Sequence, residues 1–397
     1  MRVPVTESMA SLYIHIPFCE HKCIYCDFYS VAPNETASRS ELPTARFVKT
    51  LLKELDLRAK EERFRVSYET VFLGGGTPSL LPAEDLRLIL EGVTSSFSIE
   101  PSAEITIETN PGTVSRQKLD AFRSLGINRL SIGVQSFHED DLKFLTRIHS
   151  SELAKQCVRD GYAAGFKNIS IDLIFSLPHQ TIDRWRANLD QAMELNPSHI
   201  SCYSLIVEPN TPLSNMVDAR QISLLSTEED ASLYEMTIQY LADHGLEQYE
   251  VSNFAKQGFK SLHNKNYWNH SNYLGLGPSA HSFWSADVNE GSSVRWWNVS
   301  SIVGYFEKLD QGGLPVAGCE HLTVEQLVEE EIFLGLRSEG IDIAGFRKRY
   351  GKDLFTEHRS HLSDLIDNSL AVVQNGTLRL TSKGYMVCDE ICASLRV

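Results

Sequence analysis

Six short runs rich in Ile, Val, Leu, Phe, Tyr and Thr alternate with helical segments over the first 210 residues. The runs fall at 12–16, 70–73, 104–108, 129–134, 169–175 and 199–205. Between them, segments 47–61, 83–95, 116–125, 152–164 and 183–195 carry apolar residues at helical spacing, as Phe47, Leu51 and Leu55 do. Parallel strands need crossovers of a dozen residues or more, so this alternation predicts an α/β fold built on a parallel sheet. The runs are nearly continuous in apolar residues, as expected for strands buried on both faces. Six such units make either a partial (β/α)6 barrel or an open doubly wound sheet. Both gather ligands at the carboxyl ends of the strands. Polar residues cluster there, at 74–77, 108–110, 135–136 and Ser176, which locates a site without choosing between the folds.

The alternation is lost from about 209 to 311. A helix is predicted over 227–244, where Ser226 and Glu229 have capping-box spacing, followed by an aromatic, Asn- and Gly-rich stretch over 249–297. After Pro315 the pattern changes again. Helices are predicted at 324–336, 342–350, 362–367 and 380–395, with a strand–turn–strand at 371–378 around Asn375-Gly376. The expected organisation is a βα unit over 1–210, an extension over 211–315, and a small helical, winged-helix-like domain over 316–397.

Charge and cysteine usage narrow the function. The balance of 37 Lys+Arg against 52 Asp+Glu gives −15, which argues against a surface built to bind nucleic acid. No run of 18 apolar residues predicts a membrane span, although peripheral association through a partner leaves no such trace. The first 18 residues hold one Arg and no apolar core of signal-peptide length, so no secretory leader is expected. Eight cysteines are too few for a disulfide scaffold. A reducing, cytoplasmic setting would keep the thiols free.

Three of the eight, Cys19, Cys23 and Cys26, fall within one eight-residue segment after the first strand. Three thiolates on one loop can bind three irons of a [4Fe–4S] cube and leave the fourth iron open. A zinc site would want a fourth Cys or His, for which His21 is available, giving a zinc-stabilised structural protein as an alternative. Cys388 and Cys392 lie four residues apart on a predicted helix, where burial as small apolar side chains is expected.

The spacing of these cysteines after the first strand resembles the radical S-adenosylmethionine superfamily. That resemblance implies a partial barrel, a [4Fe–4S] cluster on the three cysteines, and S-adenosylmethionine chelated to the open iron. One-electron reduction of its sulfonium would yield a 5′-deoxyadenosyl radical. Residues 13–19, 74–78, 104–108, 130–137 and 171–174 together resemble the family of oxygen-independent coproporphyrinogen III oxidase and its heme-chaperone relatives. By motif, the resemblance places Tyr13, Tyr25, Gly75, Gly76, Thr77, Glu108, Gln135, Arg147 and Asp172 at the S-adenosylmethionine pocket. Glycines let backbone approach a ligand closely. Glu108 and Asp172 could accept hydrogen bonds from hydroxyl or ammonium groups, and Arg147 could pair with a carboxylate. Singly, each has another reading. Glu108 precedes Asn110-Pro111-Gly112, which could be only a turn device.

Two departures point away from the oxidase. Phe28 stands where the oxidase pattern has a fourth cysteine, and 18 residues precede Cys19 where the oxidase carries a longer segment. The run His263-Asn264-Lys265-Asn266-Tyr267-Trp268 resembles a motif of the chaperone branch. It implies a heme site involving His263, Tyr267 and Trp268, with His270, Tyr273, His281, Phe283 and Trp284 nearby. The other reading of His263 is a satisfied polar residue in an aromatic core. Residues 275–281 resemble a segment that contacts the second half of the family's pocket. The expected function is therefore to bind heme and deliver it to acceptor hemoproteins such as respiratory cytochromes, as a monomer or a cluster-dependent dimer. Oxidative decarboxylation of coproporphyrinogen III is the alternative, and enzymatic activity is left open.

Overall fold

The computed structural model describes residues 9–35, 41–285 and 293–395. Residues 1–8, read above as carrying no secretory leader, lie outside them. The six predicted strands are present as β1 (Ala10–Ile16), β2 (Ser67–Gly75), β3 (Ser98–Thr109), β4 (Arg129–Gln135), β5 (Asn168–Phe175) and β6 (His199–Ser204), each parallel to its neighbour. The intervening helices include α1 (Thr44–Arg58), α2 (Ala83–Ser96), α3 (Arg116–Ser124), α4 (Glu139–Phe144), α5 (Ser151–Ala163) and α6 (Ile182–Glu194). The short α4 has no counterpart in the sequence reading.

One expectation about the strands needs correction. They are buried on both faces, but only one face is apolar. In β1, Leu12, Ile14 and Ile16 pack in one hydrophobic cluster with Phe47 and Leu51 of α1. The opposite face of the sheet carries Tyr13 and His15, then Glu104 and Glu108, Arg129 and Ser131, and Ser170 and Asp172 on successive strands. Strand alternation puts these residues on one face because the side-chain period is two. Much of that face lines cavities, where polar groups can serve a ligand.

The region beyond β6 holds α7 (Pro212–Asp218) and α8 (Thr227–Asp243), with the capping box between Ser226 and Glu229 formed as predicted. It then supplies strands to both edges of the sheet. On one side, β8 (Asn253–Ala255) runs antiparallel beside β6, and β7 (Glu247–Gln248) runs antiparallel to β8 at the edge. Next come α9 (Leu262–Trp268), β9 (Tyr273–Leu276), β10 (His281–Trp284), β11 (Val294–Asn298) and α10 (Ile302–Asp310). On the other side β9 lies parallel to β1, with β10, β11 and β12 (Val316–His321) antiparallel beyond it. The result is an open sheet of 12 strands among the described residues. Residues 316–321, expected to begin the C-terminal unit, thus complete the large sheet.

After β12 a separate hydrophobic cluster forms around Val328, Ile332 and Leu336 of α11 (Val324–Leu336), with Phe346, Leu378 and Ile391. A small sheet of β13 (Ile341–Asp342), β14 (Ala371–Gln374) and β15 (Thr377–Leu380) packs with it. Asn375 and Gly376 both take positive φ, 53° and 79°, as a two-residue hairpin turn requires. The helix predicted over 380–395 is instead two short ones, Ser382–Tyr385 and Cys388–Ser394. Val387 between them sits at φ −128°, outside the helical region. Cys388 and Cys392 are buried, as expected.

Candidate functional site

The three clustered cysteines occupy the loop that leaves the carboxyl end of β1. Backbone bonds fold this loop back on itself: Cys19 N–H donates to the Val31 carbonyl at 3.1 Å and Cys26 N–H to that of Cys23 at 3.3 Å. Two distant segments brace it. Thr146 Oγ1 accepts the Ile24 N–H at 3.2 Å, and the Leu213 N–H donates to the Ile24 carbonyl at 3.0 Å. All three thiols are free and half-buried. Burial pushes the Cys19 thiol up and the Cys26 thiol to about 11. Polar groups point at two of the sulfurs, with Thr77 Oγ1 3.7 Å from Cys19 Sγ and Arg147 Nη1 3.5 Å from Cys23 Sγ.

A cavity of about 440 Å³ opens beside this loop over the carboxyl ends of the strands. Tyr25 lines it from the loop, Gly75, Gly76 and Thr77 from β2 and the turn after it, Glu108 from β3, Gln135 from β4 and Asp172 from β5, with Arg147 from beyond α4. These eight residues are distant in sequence, and the ordering of the strands brings them together. Gly76 is required by close approach, since a Cβ there would lie 2.6 Å from the Phe18 carbonyl oxygen just before Cys19. Gln135 sits at φ 69°, where the register of β4 against β5 shifts. A non-glycine residue held in the left-handed region marks a constraint of the kind found at ligand sites.

The electrostatics of this cavity are those of paired acids and fixed cations. Glu108 Oε2 accepts the Gly75 N–H at 3.0 Å, yet burial and the nearby Asp172 push its carboxyl up to about 7. Burial also raises Asp172, against hydroxyl donors Ser131 at 2.8 Å and Ser170 at 2.9 Å. Arg147 Nη2 donates to Asn110 Oδ1 at 2.6 Å and to the Gly133 carbonyl at 2.9 Å, while Asn110 Nδ2 donates to Thr77 Oγ1 at 2.9 Å. The sequence reading missed Asn110 and Arg129. Asn110 was visible two residues after Glu108 but read as turn chemistry. Arg129 begins a strand, and only the tertiary fold turns it into the cavity, where it is nearly fully buried.

Tyr13 does not line this cavity, but it lies close enough to Glu108 for that carboxylate, after burial, to raise its phenol. Its hydroxyl bonds His15 Nδ1 at 3.0 Å, and it lines a second cavity on the other side of the cluster loop. The residues expected at heme also separate. His263 is 1% exposed, with Nδ1 bonded to Thr70 Oγ1 at 2.7 Å and Nε2 to the Tyr267 hydroxyl at 3.0 Å. Its ring stacks on Phe72 at 4.8 Å, and burial pushes the imidazole down to about 3, so it is neutral. Both nitrogens are taken, which leaves none for iron in this arrangement. Trp268 is half-buried and lines neither cavity, whereas Tyr267 lines the second.

The Radical SAM superfamily model matches residues 13–192, and the HemN C-terminal domain model matches residues 322–387. Over 387 residues the chain is 34% identical to the heme chaperone HemW of Bacillus subtilis, covering 96% of this chain and 98% of that one. The chain belongs to the HemW family. HemW proteins of Haemophilus influenzae and Escherichia coli are each 41% identical over 68% of this chain and 69% of their own. Among solved structures, the fold is similar to that of coproporphyrinogen III oxidase (HemN) from Escherichia coli. The TM-score is 0.81 at 23% identity, over 98% of this chain and 91% of that one.

Radical SAM membership implies a [4Fe–4S] cluster and S-adenosylmethionine, and the residues of this HemW-family chain fit both. The donor set is three free thiols at a cavity mouth. The cavity also presents buried polar atoms with no hydrogen-bond partner, namely Arg129 Nε, Arg147 Nε and Thr109 Oγ1. Unmet polar atoms carry a desolvation penalty that a polar ligand would relieve. Among the described residues no helix is long and apolar enough to cross a membrane.

Proposed function

We propose that this chain carries heme and hands it to acceptor hemoproteins such as respiratory cytochromes, using a cofactor-loaded pocket at the cluster loop. The supporting observation is 34% identity, over nearly the whole of both chains, to a protein named as a heme chaperone. In this reading Cys19, Cys23 and Cys26 hold a [4Fe–4S] cluster, and Phe28 supplies no fourth thiol. With one iron free of protein ligands, such a cluster supplies one-electron reduction of S-adenosylmethionine.

The chain's own residues divide the work of binding. Gly75, Gly76 and Thr77 present backbone to the methionine end. Glu108 and Asp172 accept hydrogen bonds from ammonium or ribose hydroxyl groups, which also relieves their mutual repulsion. Arg147 faces the cluster loop, braced by Asn110, and offers its remaining N–H to a carboxylate. Gln135 lines the cavity with its amide beside Gly133, and Tyr25 closes the side next to Cys23. A reducing compartment such as the cytoplasm keeps the thiols available.

The test combines anaerobic reconstitution with iron and sulfide, titration with hemin, and transfer to an apo-cytochrome. A brown, iron-containing protein that develops a Soret band and passes hemin on supports the proposal. A reconstituted wild type that takes up no hemin sinks it.

A further inference from the structure

The second cavity, about 730 Å³, differs in chemistry from the cluster cavity. Asp27 and Phe28 of the cluster loop line both, so the two spaces share a wall. Phe28 is 64% exposed, a large apolar ring left at that boundary. Strand alternation turns Tyr13 of β1, Tyr273 of β9, and His281 and Phe283 of β10 toward the same space. Phe283 lies opposite Tyr273 in register. Tyr267 of α9 packs edge-to-face on Tyr273, with centroids 4.7 Å apart. The volume lies within the ~300–1,000 Å³ typical of small-molecule sites, and the lining is aromatic.

Three imidazoles line this cavity, and their nitrogens differ in availability. His15 donates or accepts at both, with Tyr13 on Nδ1 at 3.0 Å and the Tyr29 carbonyl on Nε2 at 2.8 Å. His270 Nε2 lies 2.9 Å from Glu330 Oε2 without hydrogen-bond geometry, but its side chain is only 8% exposed and its ring stacks on Phe283 with centroids 4.2 Å apart. His281 is exposed to the cavity and has no hydrogen-bond partner among the described residues. Its ring lies nearly parallel to Trp297, with centroids 5.9 Å apart, and burial together with Arg295 favours the neutral form. The backbone that carries it is pinned. A Cβ on Gly275 would lie 2.0 Å from the His281 carbonyl oxygen, and the Gly277 N–H is held by Glu54 at 2.9 Å.

We infer that His281, not His263, offers the iron ligand, and that the heme plate lies in this aromatic cavity, beside the S-adenosylmethionine cavity and not within it. A neutral imidazole with a free nitrogen can ligate heme iron, and flat aromatic rings pack on a porphyrin. His263 then acts through Tyr267, whose hydroxyl it fixes at 3.0 Å. The inference rests on the heme-carrier reading above and adds the site to it.

The test is hemin titration of the full chain after anaerobic reconstitution, comparing wild type with His281→Ala and His281→Cys. Circular dichroism confirms that each variant keeps the fold, as an exposed side chain without hydrogen bonds allows. Wild type is expected to give a ligated Soret band. His281→Ala weakens binding by roughly tenfold or more, on the scale of disturbed metal sites, and alters the band. His281→Cys retains hemin but moves the band, the signature of a changed axial ligand. Unchanged affinity and spectrum in both variants would overturn this site while leaving the heme-carrier reading intact. No hemin binding by wild type would remove both.

Discussion

Glu54 of α1 accepts the backbone N–H of Gly277 at 2.9 Å, across 223 residues of sequence. The same carboxylate takes Asn298 Nδ2 at 2.8 Å and the Tyr305 hydroxyl at 2.7 Å, and it is fully buried. Gly277 has φ 93°, and a Cβ there would lie 2.4 Å from the His15 carbonyl oxygen. One acid thus locks the β9–β10 turn against β1. Glu54→Ala leaves the Gly277 N–H and the Tyr305 hydroxyl unmet in the core, Asn298 keeping the Gly277 carbonyl at 2.9 Å, and is expected to destabilise the chain by about 3 kcal/mol or more. Urea denaturation measures this, with Glu54→Gln expected to lose less because it keeps the shape and one acceptor oxygen.

Replacing any one of Cys19, Cys23 or Cys26 with Ser should abolish the reconstituted chromophore and most of the bound iron. Cys157→Ala and Cys202→Ala should not, since both thiols are buried away from the loop. Iron and sulfide analysis after anaerobic reconstitution reads the difference. Full iron loading of Cys23→Ser would mean that the cluster lies elsewhere.

His263 and His281 should separate in stability as well as in ligand binding. His263→Ala deletes a buried ring and leaves Thr70 and Tyr267 unpaired, with an expected loss of about 2–4 kcal/mol. His281→Ala removes an exposed ring and should change stability by less than about 0.5 kcal/mol. Thermal or urea melts of the apo-proteins check both. A neutral His263→Ala would contradict the packing described here.

Glu250 gives the apo-protein a pH dependence of known sign. Burial pushes its carboxyl up to about 7, and its charged-state neighbours include Tyr203, Tyr234, Tyr249 and Tyr385, none of them a cation. Its folded pKa lies above the unfolded one, so folding disfavours the ionised form. The cost is absent below about pH 4.5, grows as pH rises, and is complete above about pH 7, on the order of 3 kcal/mol. Glu250→Gln should therefore match wild type at pH 4 and exceed it at pH 8. Urea midpoints at the two pH values test this, and an equal difference at both would contradict it.

The strand–helix alternation, the cysteine loop and the polar strand ends were legible in the sequence because each is a local pattern. Period and spacing require no knowledge of what lies opposite. The same locality explains the errors. The runs read as apolar on both faces, yet the pairing of β4 with β5 sets Ser131 and Ser170 around Asp172 on one polar face, with Arg129 beside them. The last helix read as continuous because nothing local announced the break at Val387.

What the sequence determined by itself was the kind of chemistry: three thiols on one loop, a glycine turn, and acids at strand ends in a fixed order. Tertiary structure decided which groups are free to use it. His263 and His281 are both histidines in an aromatic stretch, and no pattern in that stretch ranks them. The fold buries one with both nitrogens bonded and leaves the other facing a cavity with no hydrogen bond to its ring among the described residues. A side chain's availability depends on neighbours brought from distant strands, and sequence spacing does not encode them.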